Sequence, residues 1–198
     1  MMPPGSAARF FPKTARRFKA DQRGIAAVEF ALLLPFLLIF LIGMSETVTA
    51  LNTDRKVSQV ASTVADLVAQ AETISTDEIT DMMTVTEDIM APYPSDPLDI
   101  IIASVTFDDE GAPKIDWSRN KDGAKPSSWT DGSAPPIDIP AGISVAGTSL
   151  IIGQSSYTYV PLFASMLQNI FPRAASMTLG DTYFLKPRLT TTVTLTGS

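Results

Sequence analysis

Residues 25–44 read IAAVEFALLLPFLLIFLIGM, twenty positions of which thirteen are Ile, Val, Leu or Phe. As a helix rising about 1.5 Å per residue, this stretch is roughly as long as the 30 Å core of a bilayer. Each of the thirteen favours insertion by about 0.3 to 0.6 kcal/mol near the centre, roughly 6 kcal/mol together, which outweighs the cost of one carboxylate. The stretch therefore reads as a membrane-spanning helix. Residues 1–24 ahead of it carry Arg9, Lys13, Arg16, Arg17, Lys19 and Arg23 against Asp21 alone, a net +5. That asymmetry places residues 1–24 in the cytoplasm and the rest of the chain outside, because positive loops stay inside. The whole chain is formally −6, so residues 25–198 carry −11, and an acidic body argues against nucleic-acid binding.

The 198 residues hold one modest domain plus accessories. Cysteine and histidine are both absent. Thiolate catalysis, disulfides, imidazole-bound zinc and any Ser-His-Asp relay are excluded with them. No enzymatic activity, cofactor, metal ion or small-molecule substrate is expected.

Within the span, Pro35 removes one backbone donor and predicts a kink. Glu29 lies roughly 6 Å below the start of the apolar run, where a carboxylate is expensive unless it snorkels to the headgroups or has a partner. Gly24, Ile25, Ala26, Ala27, Val28, Glu29 and Phe30 follow directly on the basic head. This order resembles the leader of Flp/Tad prepilins, and specifically of TadE-like pseudopilins. The family signature is Gly, four residues, Glu, then Phe or Tyr, which residues 24–30 fit without a mismatch. The resemblance implies that a prepilin peptidase cuts after Gly24 on the cytoplasmic side. Cutting there would put an α-ammonium on Ile25, four residues from Glu29 and on the same helical face. In a bundle of such helices, the resemblance further implies, Glu29 pairs the amine of a neighbouring subunit, beside Phe30, in a low-dielectric setting.

Two other fates of the N-terminus stay open on the residues alone. Gly43, Met44 and Ser45 resemble a small-x-small signal-peptidase site, although the apolar run is longer than a usual secretion signal and contains Glu29. The span would otherwise serve as an uncleaved anchor for a periplasmic scaffold or receptor domain.

Beyond the membrane, Val57, Val60, Val64, Leu67, Ala71 and Ile74 recur at spacings of three and four, with no Gly or Pro between Ser45 and Ala91. The helix is expected to continue to about Glu72, its stripe packing on the chain's own outer domain or forming a coiled coil. Ser75 with Glu78 reads as a capping box opening a second helix, whose Ile79, Met82, Met83, Thr86 and Met90 share a face as core filler or as an adaptable binding surface. Pro92, Pro94 and Pro97 forbid its continuation. Residues 99–107 and 114–119 predict a hairpin around the turn 108–111. Residues 120–136 predict an irregular surface loop with Trp129 as a candidate contact residue. A strand over 149–160, a short helix after Pro161 and a last strand over 175–186 complete the pattern. The run Tyr157, Thr158, Tyr159, Val160, Pro161, Leu162, Phe163 and the pair Pro187-Arg188 also look like the C-terminal portion of longer TadE-like proteins.

The expected fold class is thus α+β: a long N-terminal transmembrane and stalk helix followed by a small pilin-like domain with an antiparallel sheet. Its divisions are a leader over 1–24, a span over 25–44, a stalk over 45–74 and a periplasmic domain over 75–198. The resemblance implies a minor pilin or pseudopilin, held in the inner membrane with its N-terminus cytoplasmic, and then incorporated into the pilus or retained in its assembly machine. Its partners would be the prepilin peptidase, other Tad pilins and pseudopilins, and the inner-membrane assembly platform.

Other constellations are weak. Asp108, Asp109 and Glu110 form an acidic turn, readable as a solvated turn or a cation site. Asp116, Ser118 and Asn120 approach the Asp-x-Ser-x-Ser motif of von Willebrand A domains, found in larger TadG-like relatives, but Asn120 breaks it. An EF-hand reading fails because Lys121 stands where glycine is required. The run from Gly142 through Ser144 to Ala146 lacks the second glycine of a nucleophile elbow.

Overall fold

The computed structural model describes residues 24–161 and 176–197. The basic leader before Gly24, the helix expected after Pro161 with Leu162 and Phe163, and Ala175 at the start of the last expected strand lie outside the described residues. The chain divides into two compact units, Met1–Ser45 and Glu46–Ser198. Helix α1, Ile25–Ala69, begins in the first and ends in the second.

In the first unit every described residue as far as Leu41 is exposed, including Phe36 at 72% and Ile39 at 68%. This part of α1 is long and apolar enough to cross a membrane, and none of that apolar window is buried within the chain. Pro35 lies inside the helix, which continues on both sides of it.

In the second unit α1 becomes a core element. Its buried residues are Thr53, Val57, Val60, Ala61, Val64, Ala65, Val68 and Ala69. They form two adjacent rows at the helical period, wider than the a/d seam expected from the sequence. Val68 takes the core position assigned to Leu67, which stays half-buried, because α1 packs on a sheet, and a sheet accepts a broader stripe than a partner helix does. The helix stops at Ala69, not near Glu72. Gln70 and Ala71 donate to Leu67 and Val68 carbonyls at 3.3 and 3.1 Å, and the Arg188 amide takes the Ala69 carbonyl at 2.8 Å, which satisfies the last turn. Ile74 is therefore buried from strand β1, Thr73–Ser75, and not from the helix.

Helix α2, Thr76–Glu87, starts where the sequence places it. The Ser75 hydroxyl accepts from the Glu78 amide at 3.2 Å, and the Glu78 carboxylate accepts from the Ser75 amide at 2.8 Å. Ile79, Met83 and Thr86 are buried, so the methionine face is core filler on its inner side, with Met82 half-buried. One 3₁₀ turn, Asp88–Met90, ends the segment before the prolines.

The main sheet contains β2 (Leu98–Phe107), β3 (Pro113–Asn120), β4 (Ser149–Tyr159) and β5 (Met177–Leu185), ordered β3-β2-β4-β5 and antiparallel throughout. The β2–β3 hairpin forms as expected, with Gly111 at φ 80° in its turn, a conformation glycine adopts without strain. β5 is not the last strand. After Pro187 the chain returns as β6, Thr194–Thr196, which pairs in parallel with β1 in a separate two-stranded sheet. The protein is α+β.

One face of the sheet packs on α1. Leu98, Ile100 and Ile102 of β2 and Ile151, Tyr157 and Tyr159 of β4 join Val57, Val60, Val64 and Val68 in one core. Gly153, central in β4, permits the close approach: a Cβ there would lie 2.6 Å from the Ala61 carbonyl oxygen and 2.9 Å from the Ala65 Cβ. The buried Ser155 hydroxyl adds a hydrogen bond to the Val57 carbonyl at 2.7 Å. On the opposite face Ala103, Val105, Ile115 and Ile152 form a second core with Trp129. Trp129 is 1% exposed, so the expectation of a surface contact residue is corrected. Proline and glycine shape the loop around it, but the sheet needs apolar cover on both faces, and the indole supplies it.

A bulge fixes this sidedness. Ser104 pairs Trp117 while Val105 pairs Ile115, leaving Asp116 as the extra residue. Ile115 then enters the second core and Trp117 the first, although a strict two-residue period would put them together. The Asp116 carboxylate accepts from the Ser104 and Thr106 hydroxyls at 2.9 and 2.7 Å.

Candidate processing and assembly site

The residues singled out by their order lie at the start of α1. Gly24 immediately precedes it, and Ile25, Glu29 and Phe30 occupy its first two turns, with Ile25 52% and Phe30 59% exposed. A Cβ on Gly24 would meet nothing within 4 Å. Helical geometry puts Ile25 and Glu29 on one face, one turn apart. Among the described residues no lysine or arginine nitrogen comes within 4.0 Å of Glu29. A carboxylate on an uncovered apolar helix, one turn from the helix start, is favoured by the helix dipole and is open to a cation from outside the chain.

Elsewhere the charged groups serve the fold. Asp108 is held below its ordinary range by the Lys114 ammonium at 3.0 Å and by the Ala112 amide at 2.7 Å, so its carboxylate closes the hairpin turn. Among the described residues no group of three His, Cys, Asp or Glu side chains is placed to hold a metal ion. Asp116 and Ser118 of the broken metal motif are engaged with Ser104 and Thr106 and with the Trp129 carbonyl. Arg188 pairs Asp66 on α1, which gives the late Pro187-Arg188 pair a structural role. Tyr159 is pushed up to about 12, first by burial and then by donating to the Glu46 carboxylate at 3.0 Å. Sequence reasoning gave no weight to Arg119, which is 4% exposed at the end of β3 and fell within the strand expected over 114–119.

Among the described residues one exposed apolar helix is long enough to cross a membrane, and it continues into a small α+β unit, which is consistent with a membrane-anchored protein. Residues 24–66 match the family model described as TadE-like protein. Over this segment the chain is similar to TadE-like proteins. No curated protein and no solved structure matches the chain.

Proposed function

We propose that the protein is a minor pilin or pseudopilin of the Tad (Flp) pilus. It is made as an inner-membrane precursor with residues 1–24 in the cytoplasm, and a prepilin peptidase cuts between Gly24 and Ile25. Residues 25–44 anchor the chain, and its outer part is displayed in the periplasm. Assembly with other Tad pilins and the inner-membrane platform proceeds through α1, where Glu29, flanked by Phe30, pairs the new amine of a neighbouring subunit. Pro35 supplies a kink that adapts the helix to that packing.

The observation that carries this reading is Glu29, one turn from Ile25 on a stretch of α1 whose described residues are all exposed as far as Leu41. A soluble domain would not leave such a surface uncovered. In a bundle of these helices an unpaired carboxylate would be costly, so amine pairing sets axial register. The TadE-like match over residues 24–66 supports it. The test is Glu29→Gln in the native host. Membrane insertion and leader removal are expected to stay near wild type, while co-purification with Tad partners and piliation fall sharply. Wild-type piliation in that variant contradicts the pairing role.

A further inference from the structure

Strand β4 runs back along α1 toward the residues that follow the apolar span. Near its middle the Ser155 hydroxyl donates to the Val57 carbonyl, and at its end the Tyr159 hydroxyl donates to the Glu46 carboxylate at 3.0 Å. Glu46 stands two residues after Met44, so chain connectivity alone ties this end of the second unit to the span. Strand β5 starts at the same end, since Met177 is the ladder partner of Tyr159. The β2–β3 turn marks the opposite end. Leu98 pairs Tyr157 and Thr106 pairs Ser149, so β2 carries the chain roughly 30 Å away before it turns at 108–111.

The end tied to the span is apolar. Val160 is 48% and Met177 47% exposed, one beside each of the strand ends that the ladder brings together. The fourteen residues 162–175 include Leu162, Phe163, Met166, Leu167, Ile170 and Phe171, with Arg173 as their single charge. The chain leaves for them at Pro161 and returns from them at Ser176, so their apolar content is delivered to this same end. Connectivity keeps a bilayer within reach of this end in every copy of the chain. A surface of Val, Met, Leu, Ile and Phe offers few polar groups to select a protein partner, whereas shallow seating at a bilayer surface needs only apolar area to bury.

We propose that the second unit seats this end, at Val160 and Met177, in the interfacial zone of the membrane that α1 spans, its ligand being zwitterionic lipid at the boundary of headgroup and acyl chain. This rests on α1 as the anchor and adds a second contact with the same bilayer. Residues 25–198 carry −11, so anionic headgroups do not strengthen the contact.

The chain has no cysteine, so Val160→Cys, Met177→Cys and, at the far turn, Asp109→Cys each place one thiol for an environment-sensitive fluorophore. The full chain is reconstituted into phosphatidylcholine vesicles, with and without a lipid bearing a nitroxide high on its acyl chain. Labels at 160 and 177 are expected to be quenched at least about twofold more than the label at 109, and phosphatidylglycerol is expected not to raise that quenching. Met177→Asp is expected to lower quenching of the label at 160 by about half, which nearness to the anchor alone would not do. Flotation with the vesicles reports the anchor separately. Equal quenching at the three positions, quenching that rises with phosphatidylglycerol, or quenching at 160 that ignores Met177→Asp overturns the proposal and leaves the anchor standing. A chain that does not float with the vesicles overturns both.

Discussion

Gly153→Ala tests how closely α1 is seated on the sheet. The new Cβ would sit 2.6 Å from the Ala61 carbonyl oxygen, whereas ordinary contact begins at 3.4 Å, so the helix backbone must retreat by about 0.8 Å. The obstacle is backbone, and no rotamer change relieves it. A gap of that size forfeits a quarter to a half of each dispersion contact along the seam, which includes Val57, Val60, Val64 and Val68. Together with the strain of overpacking the cost is about 2 kcal/mol, which lowers the Tm of a unit of this size by about 4 to 8 °C. Near-UV circular dichroism of the detergent-solubilised chain reads this directly, because Trp117 and Trp129 report packing on the two faces of the sheet. Gly142→Ala is the control, since a Cβ there meets nothing within 4 Å. Adding Ala65→Gly to Gly153→Ala is not expected to restore stability, because the shortest contact remains. A Gly153→Ala protein that melts with the wild type refutes the seating of α1 described above.

Trp129→Ala empties the centre of the second core and is expected to cost about 3 to 5 kcal/mol, measured by chemical denaturation; an effect below about 1 kcal/mol would mean the indole is not buried. The Glu78 carboxyl is held below its ordinary 4.5 by the Ser75 amide and hydroxyl, so its stabilisation of α2 is complete above that value and lost as pH falls through the lower folded value. Amide protection factors in α2, corrected for intrinsic exchange rates, should therefore fall in acid ahead of those in β2, and Glu78→Gln should remove that acid dependence. Tyr159 titrates in the opposite sense: stability is full below its ordinary 10.0 and declines as pH rises toward about 12, seen as a late tyrosinate absorbance contribution that Tyr159→Phe removes while that of Tyr157, also raised by burial, persists.

What the sequence made legible was local. The apolar span, the Ser75–Glu78 box and the β2–β3 hairpin each depend on residues within a turn or two of one another, and each formed where expected. What it hid depends on distant partners. β6 is three residues, Thr-Leu-Thr, with no strand pattern of its own; it exists because β1, some 120 positions earlier, offers an edge. The displacement of Leu67 by Val68 follows from packing on a sheet instead of a helix, which spacing alone does not distinguish. Trp129 was misread because a Gly- and Pro-rich loop resembles a solvent loop whether or not it covers a sheet face. Asp116 shows no sign in the sequence that it will be the bulge, yet it decides which face Trp117 and Arg119 reach. Of the candidate site, the order Gly24, Ile25, Glu29, Phe30 was readable in full, since it is a linear motif on one helix. The apolar end at Val160 and Met177 was not, because which strand ends come to lie beside Glu46 is settled only in the folded chain.

The most direct measurement is the intact mass of the protein recovered from the membranes of its native host. Loss of residues 1–24, with Ile25 as the first residue, is the predicted result. A polypeptide that still begins at Met1, or one that begins after Gly43, contradicts the account.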